Sequence, residues 1–417
     1  MNNYSILAMK KTKIYSFCNI YIILWLVYSL QTMVFGRSGT IYSQVLIVFL
    51  TAVSFYYMFY ALMHYKINPF LKVLTVFIIL LTVYGFILMV GSDTFVSIST
   101  SGRLSSYVYL LGLYNSLLPI YPFYVFTRQG NLTRSSIKWW TLLFLITVLL
   151  QFYENQQAAL IKALEIGSDR DEFTNNIGYE FLSVIPLLAF FSDKKVIQYA
   201  GLAYIMAFLL LAMKRGAILI GAVSLVYFLW ISMRGARGNQ KFIVVIMTVI
   251  VIGFGYNVIQ NLLENSDYFL YRMQITQEGE SSGRDETYSA LFYHFINESN
   301  PFVFLLGNGA YGTLKVWHGL AHNDWLELAI NQGLLGLAVY AIYWMKFYKA
   351  VRSARFNDEI HLAITLLFII YLLRTFFSMS YGDMSLYSTL CLGFCLGRIS
   401  ENELKNANLI AAGMQSA

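Results

Sequence analysis

Apolar positions dominate this chain in runs long enough to cross a bilayer, and short polar clusters punctuate them. A helix needs about 20 consecutive apolar residues to span roughly 30 Å of hydrocarbon. By that measure the pattern predicts about twelve membrane helices, near 14–35, 40–63, 69–90, 105–126, 137–153, 176–192, 195–213, 216–233, 241–260, 325–345, 361–380 and 383–398. The sixth and twelfth are the shortest. The first follows a basic start, "MKKTKIYSF", and no small-x-small cleavage site follows it, so it reads as a retained span. No internal repeat, low-complexity tract or inverted hydropathy symmetry is visible.

Charge tests the count. With the N-terminus in the cytoplasm, "KKTK", "HYKIN", "TRQGNLTRSSIK", "SDKK", "RGARGNQK" and "KFYKAVRSARFNDE" all fall inside. The outside receives "GSDTFVSISTSGRL", the acidic 154–175 loop, the "KRG" junction and the long 261–324 segment. Lys and Arg thus gather on one side, as the positive-inside rule asks. The expectation is an all-α fold: a polytopic membrane helix bundle with one long extracytoplasmic loop containing short helices. Residues 1–260 make an N-terminal bundle of about nine spans, 261–324 the loop, and 325–417 the C-terminal spans and a cytoplasmic tail.

Composition narrows the function. The chain is 58% hydrophobic and 12% charged, with 32 Tyr, 32 Phe and 5 Pro in 417 residues. A soluble domain carries about twice that charge. The net charge of +7 reads as loop asymmetry and not as a nucleic-acid patch. Cys18, Cys391 and Cys395 lie in apolar runs and form neither a disulfide framework nor a zinc pattern.

Polar residues collect at the outer ends of the apolar runs. They are Asn176 and Glu180 at the start of the sixth, Lys214 and Arg215 between the seventh and eighth, Glu327 opening the tenth, and Arg374 within the eleventh. Ionisable groups in membrane helices cost a few kcal/mol and mark functional sites. Snorkelling of Glu180 or Glu327, and a structural pair of Arg374 with Glu180 or Asp383, are the competing explanations. The 261–324 segment reads as a Gly-Arg-Asp start, an amphipathic helix with Tyr288, Leu291, Phe292 and Phe295 on its apolar face, and a Gly307-Asn308-Gly309 turn. The turn lacks the Lys-Ser/Thr of a nucleotide loop. His318 and His322 are four apart, but Gly319 and the absence of a His-Glu-x-x-His motif argue against a metal.

The stretch "AHNDWLELAINQGLLG", 321–336, gathers the densest polar cluster. It resembles the signature of the O-antigen ligase and polymerase superfamily: His then Asn, Ser or Gln, nine residues, then Gly-x-x-Gly. Here these are His322, Asn323, Gly333 and Gly336. The likeness extends to "KRGAIL", to "GRDETYSALFYHFINESNPFVFLLGNG" and to "NNIGYEFLSVIPLL", and so covers about 175–345. The ligase form usually continues with Thr or Val after the last Gly, whereas this chain has Leu337.

The resemblance implies a metal-independent, cofactor-free membrane glycosyltransferase of GT-C-like fold in a bacterial cytoplasmic membrane. Its partners would be an undecaprenyl-diphosphate-linked glycan donor and acceptor in the lipid bilayer. A flippase and a chain-length regulator are further candidate partners, and nucleic acid is not one. The leaving lipid diphosphate suits arginine, whose guanidinium stays charged and offers a fork of donors. Arg215 and Arg284 are therefore expected in catalysis, with Arg374, Arg272, Lys214, Asn176, Glu180, Asn323 and Glu327 binding substrate. His322 would take or orient the acceptor proton, with Asn323, Asp324 or Glu327 holding its tautomer. Three readings stay open: a repeat-unit polymerase, a ligase transferring finished glycan, and a lipid-linked oligosaccharide flippase or transporter.

Overall fold

The computed structural model describes residues 17–37, 39–90, 106–165, 175–235, 238–266, 270, 274, 284–317, 319–378 and 380–415. Among them there are helices and no strands. The first half comprises α1 (Phe17–Ser29), α2 (Gln31–Phe35), α3 (Ile41–His64), α4 (Pro69–Val90), α5 (Ser106–Leu117), α6 (Ile120–Arg128) and α7 (Arg134–Glu165). Then come α8 (Gly178–Val184), tightening into a 3₁₀ turn over Ile185–Phe191, α9 (Lys195–Leu211), α10 (Arg215–Gly235) and α11 (Asn239–Asn265). Three short helices follow, α12 (Arg284–Ile296), α13 (Pro301–Leu306) and α14 (Gly312–Val316). The last three are long: α15 (Asp324–Ser353), α16 (Asp358–Phe377) and α17 (Leu386–Gln415).

The described part of each predicted apolar run is mainly helical. Eight stretches of the described residues are long and apolar enough to cross a membrane, and Phe17–Ser29, Gly178–Phe191 and Lys195–Leu211 are shorter apolar helices. The chain is thus a polytopic helical membrane protein. The fourth predicted run, 105–126, breaks at Leu118–Pro119 into α5 and α6, because proline has no N–H for the helical ladder. The sixth tightens where Pro186 enters.

Packing gives the bundle two polar ends. α15 lies on α4, α16 on α10 and α17 on α6, around a core of buried aromatics such as Tyr21, Tyr121, Phe123 and Phe144. The hydroxyls of Tyr21 and Tyr121 find partners on neighbouring helices, Ser54 at 2.7 Å and Thr75 at 2.8 Å. One end joins the α6–α7, α8–α9 and α15–α16 turns through ion pairs of Arg134 with Asp193 and Glu359. The other joins the α9–α10 junction, α12 to α14, the start of α15 and the α16–α17 turn.

Candidate active site at the mouth of a broken helix

α15 starts on a cap. Asn323 is extended, with φ −147°, and its Oδ1 accepts from the amides of Trp325 at 3.0 Å and Leu326 at 3.1 Å. This satisfies two of the first-turn donors that a helix leaves unpaired. The residue before it, His322, has φ 49°, in the left-handed region that non-glycine residues seldom adopt, histidine more often than most. Among the described residues two other non-glycine residues have a positive φ: Met213, beside Lys214, and Tyr311 in the α13–α14 turn. All three lie in connections at the same end of the bundle, where stored backbone strain often accompanies function.

Three anchors hold His322 in place. Tyr288 of α12 puts its hydroxyl 3.4 Å from the carbonyls of both His322 and Phe376, tying the loop to the end of α16. Asp324 is fully buried and accepts from Tyr340 Oη at 2.6 Å, Ser380 N at 2.7 Å and Ser380 Oγ at 2.6 Å. Glu327, also fully buried, accepts from Thr313 Oγ1 at 2.7 Å and Asn331 Nδ2 at 3.0 Å through one oxygen. Its other oxygen accepts from Ala321 N at 2.8 Å, the residue preceding His322. The side chains of Asn323, Asp324 and Glu327, expected to hold the imidazole tautomer, thus spend these bonds on the cap, the α16–α17 turn and α14. Glu327, also expected to bind substrate, acts on His322 through the main chain.

The signature glycines have a steric reason. At Gly333 the helix breaks, with φ 65° and ψ −159°. The Gly307-Asn308-Gly309 turn docks in the break: Asn308 N donates to Ile330 O at 2.8 Å and Gly309 N to Asn331 O at 2.9 Å. A Cβ on Gly333 would come within 2.6 Å of the backbone of Gly307 and Leu305, and one on Gly307 would overlap the backbone of Asn331. The turn's amides are therefore engaged, that of Gly307 with Val303 O of α13 and the next two with α15, and not presented to phosphate.

Cations face His322 from two sides. Arg284 opens α12 and donates to the Phe377 carbonyl at 3.1 Å. Lys214 donates to Asn176 Oδ1 at 2.9 Å, while the neighbouring Asn175 amide donates to Ala212 O at 2.8 Å and fastens the junction to the α7–α8 connection. Arg215 begins α10, and a Cβ on the next residue, Gly216, would meet Tyr179 Oη at 2.7 Å and Phe377 Cβ at 3.2 Å. The end of α16 is thus the meeting point of the Arg215, Arg284 and His322 elements. His322 is solvent-exposed. Its pKa is lowered from 6.5, chiefly because surrounding protein strips hydration from the charged ring, and further by Arg284 and Lys214. The neutral imidazole, able to accept a proton, is the favoured form.

Arg374 is placed differently. It is buried, ion-paired with Asp383 and bonded to the Asp383 carbonyl at 3.1 Å, with its guanidinium 4.8 Å over the Tyr179 ring. Glu180 lies within electrostatic reach of this pair. Together they form a satellite cluster, joined to the His322 site through Tyr179. Arg272 and His318 lie outside the described residues. The α12 helix buries Leu291 as expected but leaves Phe292 exposed. Sequence reasoning missed Tyr288 as a polar tether, having placed it on the apolar face. It also missed Thr313 and Ser380, whose hydroxyls carry no local signal of their distant partners. Among the described residues no group of three or more His, Cys, Asp or Glu could hold a metal. Compared with family models and with curated proteins, the chain matches none.

Proposed function

We propose that this chain is a glycosyltransferase that polymerises undecaprenyl-diphosphate-linked oligosaccharide repeat units, with His322 as the proton acceptor. The observation that carries this reading is the site itself: an exposed, neutral-favoured imidazole on a strained loop, flanked by Arg284 and Lys214, at the mouth of a membrane helix. In the reaction the acceptor sugar hydroxyl attacks the anomeric carbon of the donor glycan. The bond from that carbon to the diphosphate oxygen breaks, and the oxygen leaves with the electron pair. The hydroxyl proton passes to His322. Arg215, Arg284 and Lys214 stabilise the diphosphate as its charge grows.

A second feature supports a lipid-linked substrate. An open apolar groove of about 530 Å³ lies between α10 and α16, lined by residues such as Val226, Trp230, Ile369 and Leu373. Along α10 the lining positions from Ala222 to Trp230 sit about 10–23 Å from Arg215, so an isoprenoid tail in the groove would put its diphosphate by the cations. On this reading the bundle is GT-C-like with twelve spans, lies in a bacterial cytoplasmic membrane and faces His322 outward, opposite the basic end. Leu337 and the "HNDWLE" context favour the polymerase over the ligase.

The test is turnover by the purified protein in vesicles, supplied with lipid-diphosphate-linked repeat units in the presence of EDTA. A ladder of lengthened lipid-linked product is expected. Transfer only to an acceptor without a lipid diphosphate would assign a ligase. Movement of the lipid across the vesicle without any transfer would assign a transporter.

A further inference from the structure

We infer that residues 301–316 form a re-entrant element set into the membrane on the His322 side, with Phe302, Leu305 and Leu306 of α13 facing lipid acyl chains. The sequence pattern places this segment in an extramembrane loop. Depth argues otherwise, and two spans serve as rulers. In α15 the cations Lys346, Lys349 and Arg352 mark the far boundary of the apolar stretch. Back from Lys346 the unbroken helix runs about 13 residues, roughly 20 Å, to Gly333, which leaves the near boundary of a ~30 Å hydrocarbon core about 10 Å further on. Ile330 to Gly333, on which the turn docks, then lie about 5–10 Å inside it. In α4 the charge-free stretch begins after Lys72, and the same thickness puts Tyr84 about 10 Å inside the opposite boundary. Tyr84 Oη donates to the Leu306 carbonyl, so both rulers place the end of α13 at the same level.

Backbone accounting agrees. A loop in water leaves many of its amides to solvent, whereas irregular backbone at membrane depth must find protein partners. Here Asn300 caps α13 through Phe302 N at 3.0 Å, and Gly307 N donates to Val303 O at 2.7 Å. The next two amides bond the carbonyls freed at the Gly333 break. Thr313 N donates to Asn331 Oδ1 at 2.9 Å, and Trp317 N donates to Thr313 O at 2.7 Å. The helix break and the inserted turn repair each other.

The outward face identifies the occupant. α13 reads "PFVFLL" without a polar residue, and Phe302, Leu305 and Leu306 are 72%, 48% and 42% exposed. On α4, flanking Tyr84, Val83, Phe86 and Ile87 are also exposed and apolar. The patch therefore continues the lipid-facing surface of a membrane helix. This inference is independent of the enzymatic reading, and its test measures no transfer.

The full-length protein is reconstituted in phospholipid vesicles with a nitroxide on Phe302→Cys or Leu305→Cys, and collision with oxygen and with a water-soluble nickel chelate is measured. The three native cysteines are buried and stay in place, with an unsubstituted sample as background. Ile79→Cys, exposed on α4, is the lipid reference, and Glu286→Cys, exposed on α12, is the aqueous one. Each variant is read only where it elutes as the native species, and either α13 position alone answers the question. The expected result is an oxygen-to-nickel collision ratio matching Ile79→Cys and several-fold above Glu286→Cys. A ratio matching Glu286→Cys would put α13 in water. Exclusion of both reagents would mean that protein, such as a second copy, covers it. Either result overturns the inference.

Discussion

The two ends of the bundle treat cations in opposite ways. At the basic end Arg134 meets Asp193 and Glu359, Lys138 meets Asp193, and Arg398 meets Glu401: charge meets countercharge. At the His322 end Arg284 donates to a main-chain carbonyl and Lys214 to a side-chain amide, both neutral acceptors. The titrating neighbours record the contrast. Asp193 is held below the usual carboxylate range, first by its Lys138 hydrogen bond and then with help from Arg134. His322 is pushed down by cations as well as by lost hydration. A cluster that neutralises itself fastens turns together. Arg374, paired with Asp383 at the second end, follows the first pattern and is better read as structural.

The largest effect should come from removing the proton acceptor. His322→Ala is expected to lower transfer by about 10²–10⁴-fold at normal protein level, measured as turnover of lipid-linked substrate. Wild-type turnover would remove His322 from catalysis. Next, Arg284→Ala should cost roughly ten- to hundredfold, the worth of one charge-assisted bond, and Arg284→Lys should rescue it poorly because a lysine cannot reproduce the guanidinium fork. Full rescue by lysine would mean that charge alone matters. Gly333→Ala is a stability test. Backbone strain of about 1–3 kcal/mol, plus overlap with the Gly307 turn, should lower the unfolding temperature and loosen α13 and α14. An unchanged melt would contradict the docked break. The smallest effect is at the other end: Arg134→Ala should leave turnover intact and change stability by no more than about 1 kcal/mol. Asp193 is depressed, so the stability that its pairing gives is present at neutral pH and is lost only as pH falls through its lowered pKa.

Much of the architecture is legible in the sequence because hydropathy is a property of long runs. The described part of each predicted run is mainly helical, though the fourth splits at Pro119 and the sixth tightens at Pro186, and the polar groups from Asn176 to Arg374 lie at one end. Where a run is interrupted without losing hydropathy, the pattern is blind. Gly333 breaks α15 inside a run whose average hydropathy carries straight through it, and "PFVFLL" in a nominal loop is too short to register as membrane-embedded. Roles were harder than places. Asp324 and Glu327 read as site carboxylates, but their partners Ser380, Thr313 and Ala321 come from connections whose approach no local periodicity encodes. The Asp383 partner of Arg374 was legible because only nine positions and one turn separate them.

Arg284 and Lys214 both act on the charge of His322. Hydrogen–deuterium exchange at the histidine ring carbon, read peptide by peptide in the full-length protein, gives the titration midpoint of each of the five histidines. His322 should titrate below 6.5. In Arg284→Gln the imidazolium loses a repelling neighbour, so its midpoint should rise, carrying the acidic limb of turnover to higher pH. An unshifted His322 midpoint in a folded Arg284→Gln protein would contradict the account.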